Sequence, residues 1–418
     1  MFETLNTSSV SLTKYEVFSS KWPNTKILVN DDEIVSKVWS KYENLKKSSS
    51  FDVDITREAI KQEGMTLFEY CFGFSELICD DKKSYSFLFN KGKKSTDPTG
   101  FEILALACGL GVNRADDIWK NEYLGQATGA FLVELKDALI NAINIVSSSI
   151  KNWVFDLKKT HIKNSSTYQI YYMIASVFKH LYVLDLKSKE INKIENSSWV
   201  DDFKKNAFKW YFYHQITSFW NEHRQVSDLK ELIQNESNDY LYSSNISREA
   251  WEKALNDYFK TMKESATSRT ISNETKLFLN YLYKLMMEKD RNVQKYFEVE
   301  KEDEKKIIFD IEHIVPIHKF SKFDEELPIS ALGNLCYLAV KDNRAKGEYT
   351  IYEYALDRPA LTFEEGFKNI IDYPNREDLS FIDCPYDQFV EPYNNLIENR
   401  ERRLICKYVV TARLSVRQ

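Results

Sequence analysis

The sequence predicts a mainly α-helical body followed by a small α+β domain with flanking helices, and three observations lead there. Gly (11) and Pro (8) are scarce among 418 residues while Lys, Glu, Leu, Ile and Asn abound, a composition with few tight turns. Apolar residues recur in steps of three and four through most of the chain before residue 300, the period of a helix with one buried face. That periodicity breaks in a charge run from Glu298 to Lys306 (EVEKEDEKK), and the segment after it alternates like a strand. A boundary is therefore expected near residue 300, separating a helical scaffold (1–300) from a second domain (301–418).

Taken in order, Thr13 and Glu16 form a capping box for a short helix that stops before Trp22-Pro23. From Phe131 to Trp153, the residues Leu132, Leu135, Leu139, Ala142, Val146, Ile150 and Trp153 mark a long amphipathic helix. Ser165 or Ser166 caps the next, with Ile170, Met173, Ile174, Val177 and Leu181 on its buried face. Ser198 and Asp201 fit a capping box opening a helix that carries Phe203, Trp210, Tyr211, Phe212, Tyr213, Phe219 and Trp220. Aromatics at helical spacing form core far more often than a stacking platform for bases, and are read as core here. Two further helices are expected at Ser247–Met262 and Asn273–Glu288. Lys306 to Ile311 (KIIFDI) reads as a short strand, and Phe389 to Gln418 as an amphipathic helix. Six Lys or Arg residues lie on that last stretch: Arg400, Arg402, Arg403, Lys407, Arg413 and Arg417. A basic face that holds nucleic-acid backbone and a plain solvated face account for them equally well.

Hydrophobic residues at 43% and aromatics at 14% suffice for a sizeable core. The net charge of −6 does not exclude a nucleic-acid partner, because affinity depends on the few cations that meet phosphate. Six dispersed cysteines without a C-x-x-C pair argue against a structural zinc site or a disulfide framework. His161, His180, His214 and His223 lack carboxylate or cysteine partners at ligand spacing and read as ordinary histidines. Met1 to Val10 has neither a basic start nor an apolar stretch, and no apolar run approaches the roughly 18 residues that cross a bilayer. A soluble, cytoplasmic protein is expected.

One segment carries chemistry: DIEHIVPIHKF (Asp310 to Phe320), then LPISALGNLCYLAVKDNRAKG (Leu327 to Gly347). Histidine follows an acid at the end of a strand-like run, and Asn343 and Lys346 are spaced to share one helical turn. Hydrolysis of a phosphodiester needs these types together. A neutral imidazole can deprotonate water, and a hard divalent cation can meet the charge on phosphorus and on the leaving oxygen. Magnesium takes one or two protein oxygens, which Glu312 and the amide oxygen of Asn343 supply, while lysine adds a point charge for phosphate. Asp310 stands as the alternative ligand. His318 reads as an exposed loop histidine.

The segment resembles the ββα-metal module of HNH endonucleases: an acid or histidine, then His, then Ile-x-Pro, then Asn-Leu, then Asn-x-x-Lys. That resemblance implies His313 as general base, Asn334 as the residue tying the loop to the strands, and Lys346 as a phosphate contact. Glu312 and Asn343 would hold Mg²⁺ or Mn²⁺. Many such modules have Asp or His where this chain has Glu312, and the cysteine pairs that clamp zinc in some of them are absent. The wording EHIVP…LGNLCYL…N-x-x-K after a long helical region is also similar to the C-terminal half of GmrSD-like modification-dependent restriction enzymes. FETLNTSSVSLTKYEVF (Phe2 to Phe18) resembles the segment that follows the nucleotide-binding half there. The Asp-Gly-Gln-Gln-Arg type motif of that ParB-like half is not in this chain, so a fragment, or a partner chain carrying that half, is implied.

The function expected is a metal-dependent DNA endonuclease acting in phage defence. The alternative is a catalytically inactive HNH-fold DNA-binding or regulatory subunit of a defence complex. RNA is a possible substrate, since base and metal act on the phosphate. One site per chain cuts one strand per event, so double-strand cleavage implies a homodimer or two encounters.

Overall fold

A computed structural model describes residues 22–48, 55–89, 99–111, 117–151, 167–185, 187–222, 242–262, 266–298, 309–339, 343, 346–353 and 372–410. The chain is mainly helical, with small two-stranded antiparallel sheets. It divides into two compact units: described residues up to Ile150 and from Thr167 to Asn245 form one, and Lys151 with those from Ile246 onward forms the other.

In the first unit, strand β1 (Lys26–Ile27) precedes helices α1 (Asp32–Ser48) and α2 (Arg57–Glu63). Strand β2 (Met65–Thr66) pairs with β1 and runs straight into α3 (Leu67–Ile78). Thr66 accepts from the Glu69 amide at 3.2 Å while the Glu69 carboxylate accepts from the Thr66 amide at 2.6 Å, a reciprocal cap. Helix α3 is buried along almost its whole length and packs on α1 and on α4 (Thr99–Ala107). Helix α5 (Gly129–Lys151) buries the predicted stripe Leu132, Leu135, Leu139, Ala142, Val146 and Ile150; Trp153 lies outside the described residues.

Helix α6 (Thr167–Leu181) buries Ile170, Met173, Ile174, Val177 and Leu181 as its periodicity predicts, and Ser165 and Ser166 lie outside the described residues. A hairpin, β3 (Tyr182–Asp185) with β4 (Glu190–Lys193), leads to α7 (Ser197–Ile216). The expected capping box at Ser198 is not there. The helix starts at Ser197, with Asn196, two residues before Ser198, at the cap position and no side-chain cap bond, so Ser198 already lies inside it. Phe203, Tyr211 and Phe212 are buried, and Trp220 is buried on the short α8 (Phe219–Glu222), in keeping with a core role. His214 is buried among these rings, with Trp220 Nε1 donating to its Nδ1 at 3.3 Å. His180 stacks on Trp199. His161, His223 and the capping box at Thr13 and Glu16 lie outside the described residues.

The second unit holds α9 (Arg248–Met262), α10 (Asn273–Lys289) and α11 (Arg291–Glu298), followed by strands β5 (Phe309–His313) and β6 (Leu335–Ala339). The compact unit that holds these strands takes in the helices from Ile246 onward. The reason is side-chain packing: the Tyr283 ring of α10 lies 5.3 Å from Tyr337 of β6, and Phe297 of α11 lies 4.5 Å from Phe309 of β5. Between the strands come the short α12 (Ile317–Phe320) and a 3₁₀ turn, Leu332–Asn334.

Helix α13 (Tyr386–Leu404) continues as a π-helical segment, Ile405–Val410, and packs against that turn. Phe389, Tyr393, Ile397 and Leu404 form its buried stripe. Burying each such side chain contributes roughly 1.5–3 kcal/mol. Its basic residues divide between burial and solvent, with Arg403 and Lys407 exposed as on a solvated face. Arg400 is fully buried, Arg402 donates to Asn256 and Glu398 and covers the Phe259 ring, and Arg403 pairs with Asp372. Three of the six cations are thus committed to protein partners, while Arg413 and Arg417 lie outside the described residues. Among the described residues no helix is long and apolar enough to cross a membrane.

Candidate active site

The antiparallel pairing of β5 with β6 sets Glu312 opposite Cys336 and His313 opposite Leu335. The strand therefore extends through His313, two residues beyond the KIIFDI run that signals it. Side chains alternate along a strand, so Asp310 and Glu312 share one face and Ile311 and His313 the other. Residues 343 and 346 are helical, and the Gly347 amide closes one turn on the Asn343 carbonyl at 3.1 Å. The local order is strand, strand, helical turn.

That turn brings its side chains to the end of β5. Lys346 is fully buried and its Nζ donates to Glu312 Oε1 at 2.5 Å and to the Tyr349 carbonyl at 2.6 Å. The Asn343 side chain also hydrogen-bonds the Glu312 carboxylate. Burial raises the Glu312 pKa; the Lys346 charge and the bonds from Lys346 and Asn343 pull it back, and Asp310 adds a small further rise. The expected phosphate contact at Lys346 is thus turned inward. A bare buried carboxylate is costly, and the ammonium is its counter-ion.

His313 is 7% exposed, and its Nε2 is buried without a hydrogen-bond partner among the described residues. Burial first, and the neighbouring Lys346 charge second, push its pKa from 6.5 down to about 4. At neutral pH the ring is uncharged and has a nitrogen to offer. His318 is half-buried on α12, not an exposed loop residue, because the chain after Pro316 coils into a helical turn.

Asn334 is completely buried. Its Oδ1 accepts from the Val315 amide at 2.9 Å, its Nδ2 donates to the Ile329 carbonyl at 2.9 Å, and its own carbonyl accepts from the Ile314 amide at 2.8 Å. Asn334 therefore ties the loop to the chain just after His313. Asn334→Ala would leave two buried backbone groups unpaired and should lower stability by on the order of 2 kcal/mol or more. Urea unfolding checks this, with Asn334→Asp, which keeps only the acceptor, falling between.

Five of the expected residues thus fall into one neighbourhood: Glu312, His313, Asn343 and Lys346 at the strand end, and Asn334 behind them. Tyr373, whose hydroxyl donates to the Ile314 carbonyl at 3.0 Å, carries no sequence signal. Asn343 donates its amide N–H to the Glu312 carboxylate, so the two side chains lie together, and the oxygens they carry are of the kind that suits a hard divalent cation keeping most of its water. Among the described residues no group of three or more His, Cys, Asp or Glu side chains is placed to hold a metal, so a cation here would rest on this sparse set. Comparisons with protein-family models, with curated proteins and with solved structures give no match for this chain.

Proposed function

We propose that this chain is a metal-dependent endonuclease of the HNH type that hydrolyses DNA phosphodiesters in defence against foreign DNA. The observation that supports it is a buried, uncharged His313 whose Nε2 has no partner among the described residues, beside Glu312, Asn343 and Lys346. In this reading Nε2 takes the proton of the attacking water. A pKa near 4 makes a weak base in the resting site, but a phosphodiester anion beside the ring favours its protonated form and raises that value as the proton moves. Asn334 fixes the backbone after His313 and so the direction of the ring. Glu312 and Asn343 would hold Mg²⁺ or Mn²⁺, which when bound supplies charge stabilisation for the phosphorane and the departing 3′ oxygen. Lys346 is the buried cation at the site, and a phosphate oxygen competes with Glu312 for its ammonium.

Incubating supercoiled plasmid with the purified protein and Mg²⁺ or Mn²⁺, with EDTA as control and RNA of equal length alongside, tests the proposal. Nicking or linearisation that EDTA abolishes is the expected result. No cleavage of either polymer with either metal, alone or with a partner carrying a ParB-like nucleotide-binding half, would sink it. A second reading, an HNH-shaped subunit that grips DNA without cutting, has one observation in its favour: Lys346 already satisfies the Glu312 carboxylate. Such a subunit binds DNA equally well with or without divalent metal.

A further inference from the structure

The turn that carries Asn334 is held by more than the two strands. Helix α13 lies outside the strand–strand–turn unit, yet two adjacent charged residues on it, Arg400 and Glu401, are each only 1% exposed. Arg400 Nη1 donates to the carbonyls of Gly333 (3.0 Å) and Leu335 (2.8 Å), the two residues flanking Asn334. Its Nε donates to the Asp372 carbonyl at 2.8 Å. Glu401 Oε2 accepts from the Gly333 amide at 3.3 Å, and the Tyr258 hydroxyl of α9 also hydrogen-bonds this carboxylate. A side chain at Gly333 would run into the Ile397 carbonyl, so the turn lies directly on the helix backbone.

Burying two ionisable side chains inside an apolar stripe is expensive, and hydrophobic residues of similar volume would usually serve stability as well. What they provide here is direction. Both polar groups of Gly333 and the carbonyl of Leu335 are fixed from one side, leaving Asn334 free to spend its side chain and carbonyl on Ile314 and Val315.

We infer that Arg400 and Glu401 are positioning residues for the candidate site, setting the Gly333–Asn334–Leu335 turn and through it the backbone that follows His313. This rests on the nuclease reading only for its consequence in catalysis; the mechanical link is tested without any activity. Amide hydrogen exchange is measured on the full chain with Arg400→Lys, which keeps the charge but not the fork, and with Glu401→Ala and Glu401→Gln. In Arg400→Lys and Glu401→Ala, the Ile314 and Val315 amides are expected to exchange at least tenfold faster, while core amides of α10 keep their rate. Glu401→Gln, which retains an acceptor for the Gly333 amide, is expected to restore most of the protection. Where the nuclease is active, kcat falls with little change in KM. Equal acceleration across α10 and the turn, or no acceleration at Ile314 and Val315 in both Arg400→Lys and Glu401→Ala, would overturn the inference. Should Arg400→Lys fail to fold, the two Glu401 variants decide it. Loss of local protection in a protein that never cuts DNA would uphold the link and reject the nuclease reading instead.

Discussion

On the proposed nuclease reading, His313→Ala is expected to lower metal-dependent cleavage by roughly 10²–10⁴-fold while DNA binding is retained, because that reading makes His313 the acceptor of the water proton. Plasmid nicking rates set against gel-shift affinities measure the two separately. A wild-type rate in the variant would remove His313 from the mechanism. The same substitution carries a pH signature. The imidazole pKa is lowered from 6.5 to about 4 by burial, so below pH 6.5 the unfolded chain binds a proton that the folded chain refuses. Stability contributed through this group is therefore intact above pH 6.5 and lost progressively as the pH falls toward 4. The full loss is on the order of 3 kcal/mol. Urea midpoints at pH 7 and pH 5 should fall further apart in the wild type than in His313→Ala.

The second large effect is expected at Lys346. Lys346→Met would leave the buried Glu312 carboxylate without its ammonium and should cost about 3–5 kcal/mol. Folding then requires Glu312 to take up a proton, so its pKa, already raised by burial, rises further and the variant becomes more stable toward acid. Adding Glu312→Gln to Lys346→Met should recover a large part of the loss, since the unpaired charge is gone. A double-mutant cycle by denaturant unfolding reports that coupling directly. Additive effects of the two substitutions would mean that the ion pair does not govern this part of the unit.

Much of the helical architecture was legible in the sequence. The stripes on α5 and α6 follow from Leu132 to Ile150 and from Ile170 to Leu181 at three- and four-residue spacing, which only a helix can bury on one side. The reciprocal cap at Thr66 and Glu69 is also written plainly, as Thr-Leu-Phe-Glu before an apolar run. The cap expected at Ser198 failed because the helix already starts at Ser197, where Asn196 holds the cap position without a side-chain cap bond, and spacing alone does not fix that start. In the site, the order Glu312-His313, Asn334, Asn343 and Lys346 was readable as a pattern. The inward turn of Lys346 was not, since it depends on which partner lies nearest after folding. The charged pair Arg400-Glu401 did leave a trace: it interrupts the stripe Phe389, Tyr393, Ile397 and Leu404, where an apolar residue is expected.

By itself, then, the sequence determined where α5, α6, α9 and α10 lie, which faces α5 and α6 bury, and that one segment near residues 310–347 differs in chemistry from the rest. Those are local properties, set by periodicity and by the hydrogen-bonding needs of chain ends. Tertiary structure alone decided that α9 to α11 belong with the strands, that Lys346 answers Glu312 from 34 positions away, and that α13 grips the Asn334 turn. Each of these is a choice of partner between distant groups. Burial forces every charge and backbone polar group to find such a partner, but sequence spacing does not say which one.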